Sequence, residues 1–194
     1  METFAGIFPY PPLSAHPKSC RLVTLLPGEF DNPISCVLSV VNGDMCHVYE
    51  ALSYVWGNPR QTTPITLNGL DFPVTTSLST ALRYLRHHTI PRVLWVDAIC
   101  INQRDVHERT DQIPKMMNIY KSAFRTVIWL GEEVEAGLIQ GPDTLSVNEI
   151  FRGLERMVTQ HHTNDIGELF PGRNEFIVGK SLIGFYGRPW FRRR

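Results

Sequence analysis

Residues able to do chemistry are concentrated in LWVDAICINQRDVHER, residues 94–109. Asp97 stands inside the apolar half of this stretch, and amides, acids and arginines follow it. A carboxylate in a buried strand must be hydrogen-bonded, paired or neutral, because an isolated buried charge is very costly. Asp97 is therefore either a structural lock, held by loop amides or by Arg109 or Arg125, or an acid tuned for chemistry in a crevice.

Two other apolar segments of the sequence end in similar polar groups. In open α/β sheets, ligands bind beyond the carboxyl ends of the strands, so these endings predict one functional edge. The candidate catalytic acids are Asp97 and Glu108. The candidate ligand-binding residues are Ser53, Tyr54, Trp56, Gly57, Asn102, Gln103, Asp105 and Arg109, and the third ending adds Gly131, Glu132 and Glu133.

Each candidate also has a structural interpretation. Asp105 and Glu108, three residues apart, suit an acidic capping box at the start of a helix, with Arg109 as an ion-pair partner for one of them. Two acids at that position also disfavour a bound phosphate there. The corresponding alternatives elsewhere are packing for Trp56 and turn formation for Asn102 and Gln103.

Two Asn-Gly pairs, at residues 42–43 and 68–69, predict β-hairpins that come before these candidate residues or between them. The first hairpin would join residues 34–41 to 45–56, and the second would join 65–67 to 70–74. Pro73 confines its strand to an edge or an end of the sheet.

The remaining segments alternate between helical and strand patterns. The expected elements are a helix over 76–88 capped by Thr76 or Ser77, a central buried strand over 92–101, a helix over 106–123, a buried strand over 125–131 and a helix opened by the capping box Ser146–Glu149. Pro114 either kinks its helix or restarts it. The order of elements predicts an α/β fold of three layers, with a mostly parallel sheet flanked by helices and hairpin additions before them.

Composition excludes several classes of protein. Nineteen basic and nineteen acidic side chains cancel, which argues against a nucleic-acid or anionic-membrane partner. The four cysteines show no paired metal-ligand spacing, which favours reduced thiols in the cytoplasm and no metal site. Residues 1–20 carry prolines but no continuous apolar run, so we expect a flexible leader followed by one domain over 21–194. The apolar stretch around 93–101 is too short for a membrane span.

Four blocks of the sequence resemble the signature blocks of the fungal heterokaryon incompatibility domain, the HET domain. They are YEALSYVWGNP (49–59), LWVDAICINQRDVHERTDQIPKMMNIYKSA (94–123), VIWLG (127–131) and RPWFRRR (188–194), and the resemblance extends from about residue 36 to 194. It implies a cytoplasmic domain that triggers growth arrest and programmed cell death when non-self is sensed. It also implies action through self-assembly into a homo-oligomer or through a protein partner.

The HET domain is in turn distantly similar to TIR domains, which implies a flavodoxin-like sheet. Some TIR domains hydrolyse NAD, so the resemblance implies an alternative function as a nucleotide-processing enzyme with NAD as substrate and no resident cofactor. Asp97 or Glu108 would then stabilise an oxocarbenium-like ribosyl centre, and Trp56 would stack on the base. In the family the last block continues into W-x-x-Q-E, so we expect this chain to be truncated near the end of the domain and to lack the main catalytic glutamate.

Overall fold

The computed structural model describes residues 8–43, 48–132, 145–159, 166–173, 178, 181–182 and 186. The chain divides into two compact units, Met1–Trp129 and Leu130–Arg194. The strands of the described residues lie in the first unit and are β1 (Cys20–Leu25), β2 (Ser35–Val41), β3 (Glu50–Ser53), β4 (Thr62–Leu67), β5 (Leu70–Thr75), β6 (Arg92–Trp95) and β7 (Arg125–Ile128). The helices are α1 (Thr76–Leu85), α2 (Asp97–Cys100), α3 (Val106–Gln112), the 3-10 helix η1 (Ile113–Lys115), α4 (Met116–Ser122), α5 (Val147–Thr159) and α6 (Ile166–Leu169).

The strands form one seven-stranded sheet in the order β5-β4-β2-β1-β6-β3-β7. The pairs β2–β4, β6–β3 and β3–β7 are parallel, whereas β1–β2, β1–β6 and β4–β5 are antiparallel. Helices flank this sheet, so the α/β class is confirmed. The expectation of a mostly parallel sheet is wrong, because β1 runs against both of its neighbours and makes the sheet mixed.

The hairpin around Asn68-Gly69 is confirmed. β4 and β5 pair antiparallel up to Leu67 and Leu70, and both turn residues have positive φ, 50° and 80°. These angles match a type I′ turn, which favours Asn-Gly. Pro73 lies in β5, the edge strand of the sheet, as its missing N–H predicts.

The hairpin predicted around Asn42-Gly43 is wrong. β2 pairs instead with the preceding strand β1, from Cys20 opposite Val41 to Leu25 opposite Cys36. β3 pairs in parallel with β6 on one side and with β7 on the other, so neither of its edges pairs with β2.

The central strand is shorter than its apolar sequence suggests. β6 ends at Trp95, and Asp97 begins the single helical turn α2. Leu94, Trp95 and Ile99 are all at most 1% exposed, so a strand and a helical turn share one uninterrupted apolar run. The prediction of a strand through residue 101 is wrong because burial, and not strand geometry, produces that run.

Two other predictions concern the elements around β7. The helix expected over 106–123 is divided into α3, η1 and α4, and Pro114 lies in the first turn of the 3-10 helix η1. β7 is an edge strand with Arg125, Thr126 and Ile128 exposed, so the prediction of a second buried strand is wrong.

Helix α1 packs the core of the first unit, as its spacing predicts. Leu78, Ala81 and Leu82 are fully buried. Thr75, one residue before the expected cap, accepts a hydrogen bond from the amide of Leu78 at 3.3 Å. Thr75 therefore takes the place that the sequence assigned to Thr76 or Ser77.

The second unit contains the predicted capping box. The Ser146 hydroxyl accepts from the Glu149 amide at 3.2 Å, and the Glu149 carboxylate accepts from the Ser146 amide at 2.9 Å. The hydrogen bond from the Ser146 amide, followed by those from Arg173, lowers the pKa of Glu149 to about 2. Leu145, Ile150, Leu169, Phe170 and Val178 form the core of this unit.

None of the helices in the described ranges is both long enough and apolar enough to span a membrane. Residues 8–19 carry specific contacts, given below. The flexibility of residues 1–20 stays a prediction, and residues 1–7 lie outside the described part of the chain.

Candidate functional site

Parallel strands β3 and β6 bring two of the three predicted polar endings to one edge of the sheet. Ser53 closes β3, and Tyr54 to Gly57 follow it; Trp95 closes β6, and Asp97 follows two residues later. Of the third ending, Gly131 and Glu132 belong to the second unit and Glu133 lies outside the described residues. The site described here is therefore built from the first unit alone.

Asp97 accepts hydrogen bonds at both carboxylate oxygens. The indole N–H of Trp56 donates to Oδ2 at 3.0 Å, and the amide of Ala98 donates to Oδ1 at 2.7 Å. The Gln103 side-chain amide donates to the Asp97 carbonyl at 2.9 Å, which ties the following loop to the same residue. Asp97 thus fixes an indole and an amide at the strand end, as its structural interpretation requires.

Tyr54 adds a buried phenol to this group. It is 4% exposed, and burial raises its pKa well above the ordinary range. The negative charge of Asp97 raises the pKa of Tyr54 further. The phenol therefore stays protonated, and it is not a base.

Glu108, the second predicted acid, is held in a buried ion pair. Arg21 approaches both of its carboxylate oxygens, at 2.6 Å and 3.0 Å, and the Asn102 amide donates to Oε1 at 2.7 Å. Arg21 is 2% exposed and also donates to the carbonyls of Pro11 and Cys100, at 2.8 Å and 3.1 Å. This geometry gives Glu108 a structural role joining β1, the α2 turn and α3.

The predicted capping box at this helix forms only in part. Asp105 caps α3 by accepting the Glu108 amide at 3.1 Å, but the Glu108 carboxylate turns to Arg21 instead of returning to Asp105. Arg109 pairs with neither acid, and its Nε is buried without a partner in the part of the chain that the structure describes. Arg125 binds Glu50.

Asn102 fills the turn-forming role that its structural alternative proposed. Its side-chain oxygen accepts the Arg104 amide at 3.1 Å, and its carbonyl accepts the Asp105 amide at 3.1 Å. Together with the cap at Asp105, these bonds hold the loop between α2 and α3 in one shape.

Trp56, Asn102 and Gln103 line one groove of about 460 Å³. Of the ten predicted site residues in the first unit, these three border it directly. Trp56 is 40% exposed, and its indole is held by the hydrogen bond to Asp97. A groove of this size, with an aromatic face and amide side chains, suits a small molecule or a peptide segment.

Ser53 and Gly57 support the groove without lining it. Ser53 is buried, and its carbonyl accepts the Trp129 amide at 2.8 Å. Gly57 has a φ of 74°, and a Cβ there would lie 3.2 Å from the Cβ of Ser77. The turn after Trp56 therefore requires glycine for both its conformation and its close approach.

Part of the groove wall comes from the amino-terminal segment, which no pattern in the candidate residues predicted. Phe8 and Tyr10 line it, and their rings meet Phe72 of β5 edge to face at 5.2 Å and 6.2 Å. The Arg21 guanidinium lies over the Tyr10 ring at 4.9 Å. The alternation of aromatics and prolines in residues 8–12 was the available signal for a packed, extended segment.

Within the described residues, no three His, Cys, Asp or Glu side chains come together as a metal site. Cys20, Cys36 and Cys100 are free and buried. The groove is lined by amide side chains, aromatic rings and two charged residues, Asp71 and Arg104.

Comparison with known proteins gives the family. Residues 49–194 match the family of heterokaryon incompatibility proteins (HET), and this range includes every predicted site residue. The chain belongs to the HET family. Heterokaryon incompatibility protein 6, OR allele, of Neurospora crassa is 37% identical to this HET chain over 136 residues, which cover 63% of the chain and 19% of that protein. The chain thus matches only a small part of its relative's length, and no solved structure matches it.

Proposed function

We propose that this HET domain is an incompatibility-type effector that triggers growth arrest or programmed cell death in the fungal cytoplasm when non-self is recognised. The observation that carries the proposal is the family match over residues 49–194, with the Neurospora relative in support. The domain would act through self-assembly or through a protein partner. Because the match covers 19% of that relative, sensing of non-self is assigned to the whole protein in which the domain acts.

Within this proposal, the Trp56 groove is the surface through which the effector binds its target. The support is local: Asp97 fixes the indole, the Glu108–Arg21 ion pair fixes the adjoining loop, and the amino-terminal aromatics line the groove as well. Such fixed positioning suits recognition, because a preorganised surface loses little entropy on binding.

Expression of the chain from an inducible promoter in a fungal host tests the proposal. We expect wild-type protein to slow colony growth and Trp56→Ala to abolish the effect. Tyr84→Ala is the matched control, because Tyr84 is also an exposed aromatic, at 50%, and does not line the groove. Normal growth with wild-type protein at confirmed expression would contradict the effector proposal, and full toxicity of Trp56→Ala would contradict the role of the groove.

The second candidate function is a nucleotide-processing enzyme of the NAD glycohydrolase type, with a TIR-like, three-layer architecture. The observation that favours it is a carboxylate, Asp97, hydrogen-bonded to an indole at the rim of the groove. A carboxylate stabilises a developing oxocarbenium centre, and an indole stacks on a base. Glu108 has no part in this version, because its negative charge is paired with the buried guanidinium of Arg21.

Nicotinamide release from NAD by purified protein distinguishes the two functions. The enzyme hypothesis expects turnover that Asp97→Asn reduces by at least about a hundredfold, as loss of a transition-state charge does. Glu108→Gln should retain turnover in the molecules that remain folded. Absence of nicotinamide release from well-folded wild-type protein removes the enzyme hypothesis and leaves the effector proposal intact.

A further inference from the structure

A second cavity in the first unit, of about 370 Å³, shares no lining residue with the Trp56 groove. Its walls come from the segment before β1, the residue before β3 and helix α4. This volume lies in the range of small-molecule sites.

Three of the four lysines in the chain, Lys18, Lys115 and Lys121, line this cavity. No aspartate or glutamate is among the described residues that line it. Lys115 and Lys121 form no ion pair with any residue that the structure describes, whereas Arg21, Arg92 and Arg125 do. Two positive charges at one cavity, those of Lys115 and Lys121, attract an anion.

Neutral donors stand beside the lysines. The hydroxyl of Ser19, which is 2% exposed, accepts the Ser14 amide at 3.1 Å and so has its proton left to donate. Asn118 and Ser122 line the same cavity from α4. A phosphate group has several acceptor oxygens and uses hydroxyl and amide donors together with lysine charge.

The floor of the cavity is apolar and fixed. Tyr49 and Ile119 are 3% and 9% exposed, and the Tyr49 hydroxyl donates to the Ile119 carbonyl at 2.6 Å. This bond holds the two residues together at the cavity wall. An organic group attached to the anion would therefore have an apolar surface to contact.

We propose that the Lys18–Lys115–Lys121 cavity binds a small phosphate monoester that carries an apolar group. The phosphate lies among the lysine ammonium groups and the hydroxyl donors, and the apolar group lies on Tyr49 and Ile119. The site is independent of the function proposed for the Trp56 groove.

Isothermal titration calorimetry of the purified chain with phenyl phosphate tests this site, with inorganic phosphate and benzyl alcohol as probes of each half of the ligand. Phenyl phosphate should bind more tightly than either. Lys115→Gln and Lys121→Gln should each weaken its binding about tenfold, as the loss of one charged hydrogen bond does. Arg60→Gln is the matched control, because Arg60 is an exposed cation that does not line the cavity.

Several results would overturn the site. These are no heat of binding with phenyl phosphate, equal binding of benzyl alcohol, or an equal loss in Arg60→Gln, which would indicate a general charge effect. Tighter binding of a phosphoserine peptide than of phenyl phosphate would overturn the small-molecule assignment. Circular dichroism checks the fold of each variant, and the exposed position of Lys121 makes its substitution the one that least perturbs folding.

Discussion

Replacing Glu108 by glutamine separates a structural from a catalytic role for this acid. Glu108 accepts two hydrogen bonds from Arg21 and one from the Asn102 amide. Arg21 in turn donates to the carbonyls of Pro11 and Cys100. Glu108→Gln removes the negative charge and keeps the shape of the side chain.

The expected loss of stability is large because Arg21 would stay buried and charged. Arg21 is 2% exposed, and removal of one partner from a buried ion pair costs about 3–5 kcal/mol. Glutamine retains one acceptor for the guanidinium, so we expect the free energy of unfolding to fall by about 3 kcal/mol. Domains of this size are stable by about 5–15 kcal/mol, so the variant should still fold.

Urea unfolding followed by tryptophan fluorescence measures this loss, and a double-mutant cycle with Arg21→Met assigns it to the pair. The double variant should be less destabilised than the sum of the single ones, with a coupling of about 0.5–3 kcal/mol. Asp105→Ala is the control on the same helix, and loss of its cap should cost only about 1 kcal/mol. Stability of Glu108→Gln within about 0.5 kcal/mol of wild type would refute the reasoning, because such a value is ordinary for an exposed residue.

Three other predictions concern acid stability and glycine positions. Burial raises the pKa of Glu50, but hydrogen bonds from Arg92 and Arg125 outweigh it and leave the pKa below its ordinary value of 4.5. The stabilisation from this ionised carboxylate is complete above pH 4.5 and is lost as pH falls through the lowered pKa. In urea unfolding at decreasing pH, the free energy of unfolding should therefore fall more steeply for wild type than for Glu50→Gln. Gly69→Ala should lower stability by about 1 kcal/mol in the same assay, because the residue has a φ of 80°. Gly153→Ala should cost about 1–3 kcal/mol in thermal unfolding, since the new Cβ would lie 2.2 Å from the Phe170 ring; an unchanged midpoint would contradict that packing.

Local signals predicted the parts of the fold that depend on neighbouring residues. The Asn68-Gly69 turn, the Ser146–Glu149 capping box and the apolar stripe of α1 each encode one conformation within a few positions. Asn42-Gly43 carries the same local signal as Asn68-Gly69, yet β2 pairs elsewhere. Pairing depends on which strands compete for an edge, and that competition has no local signature.

The candidate site could be predicted in outline but not in its assignments. The clustering of Trp56, Asp97 and Gln103 follows from the parallel order of β3 and β6, which apolar strand patterns made predictable. The partner of Glu108 did not follow, because Arg21 lies 87 residues earlier in the chain. A contact at that separation leaves no periodicity in the sequence.

The hydrogen bond between Trp56 and Asp97 places a fluorescent side chain at the groove in a defined environment. The indole is 40% exposed, so its emission senses both the solvent and the carboxylate that accepts its N–H, whereas Trp95 is 1% exposed and shielded from quenchers. Acrylamide therefore reaches the indole of the groove far more readily than that of the core. A ligand that occupies the groove should therefore change the fluorescence of Trp56, so its binding can be followed without an attached dye.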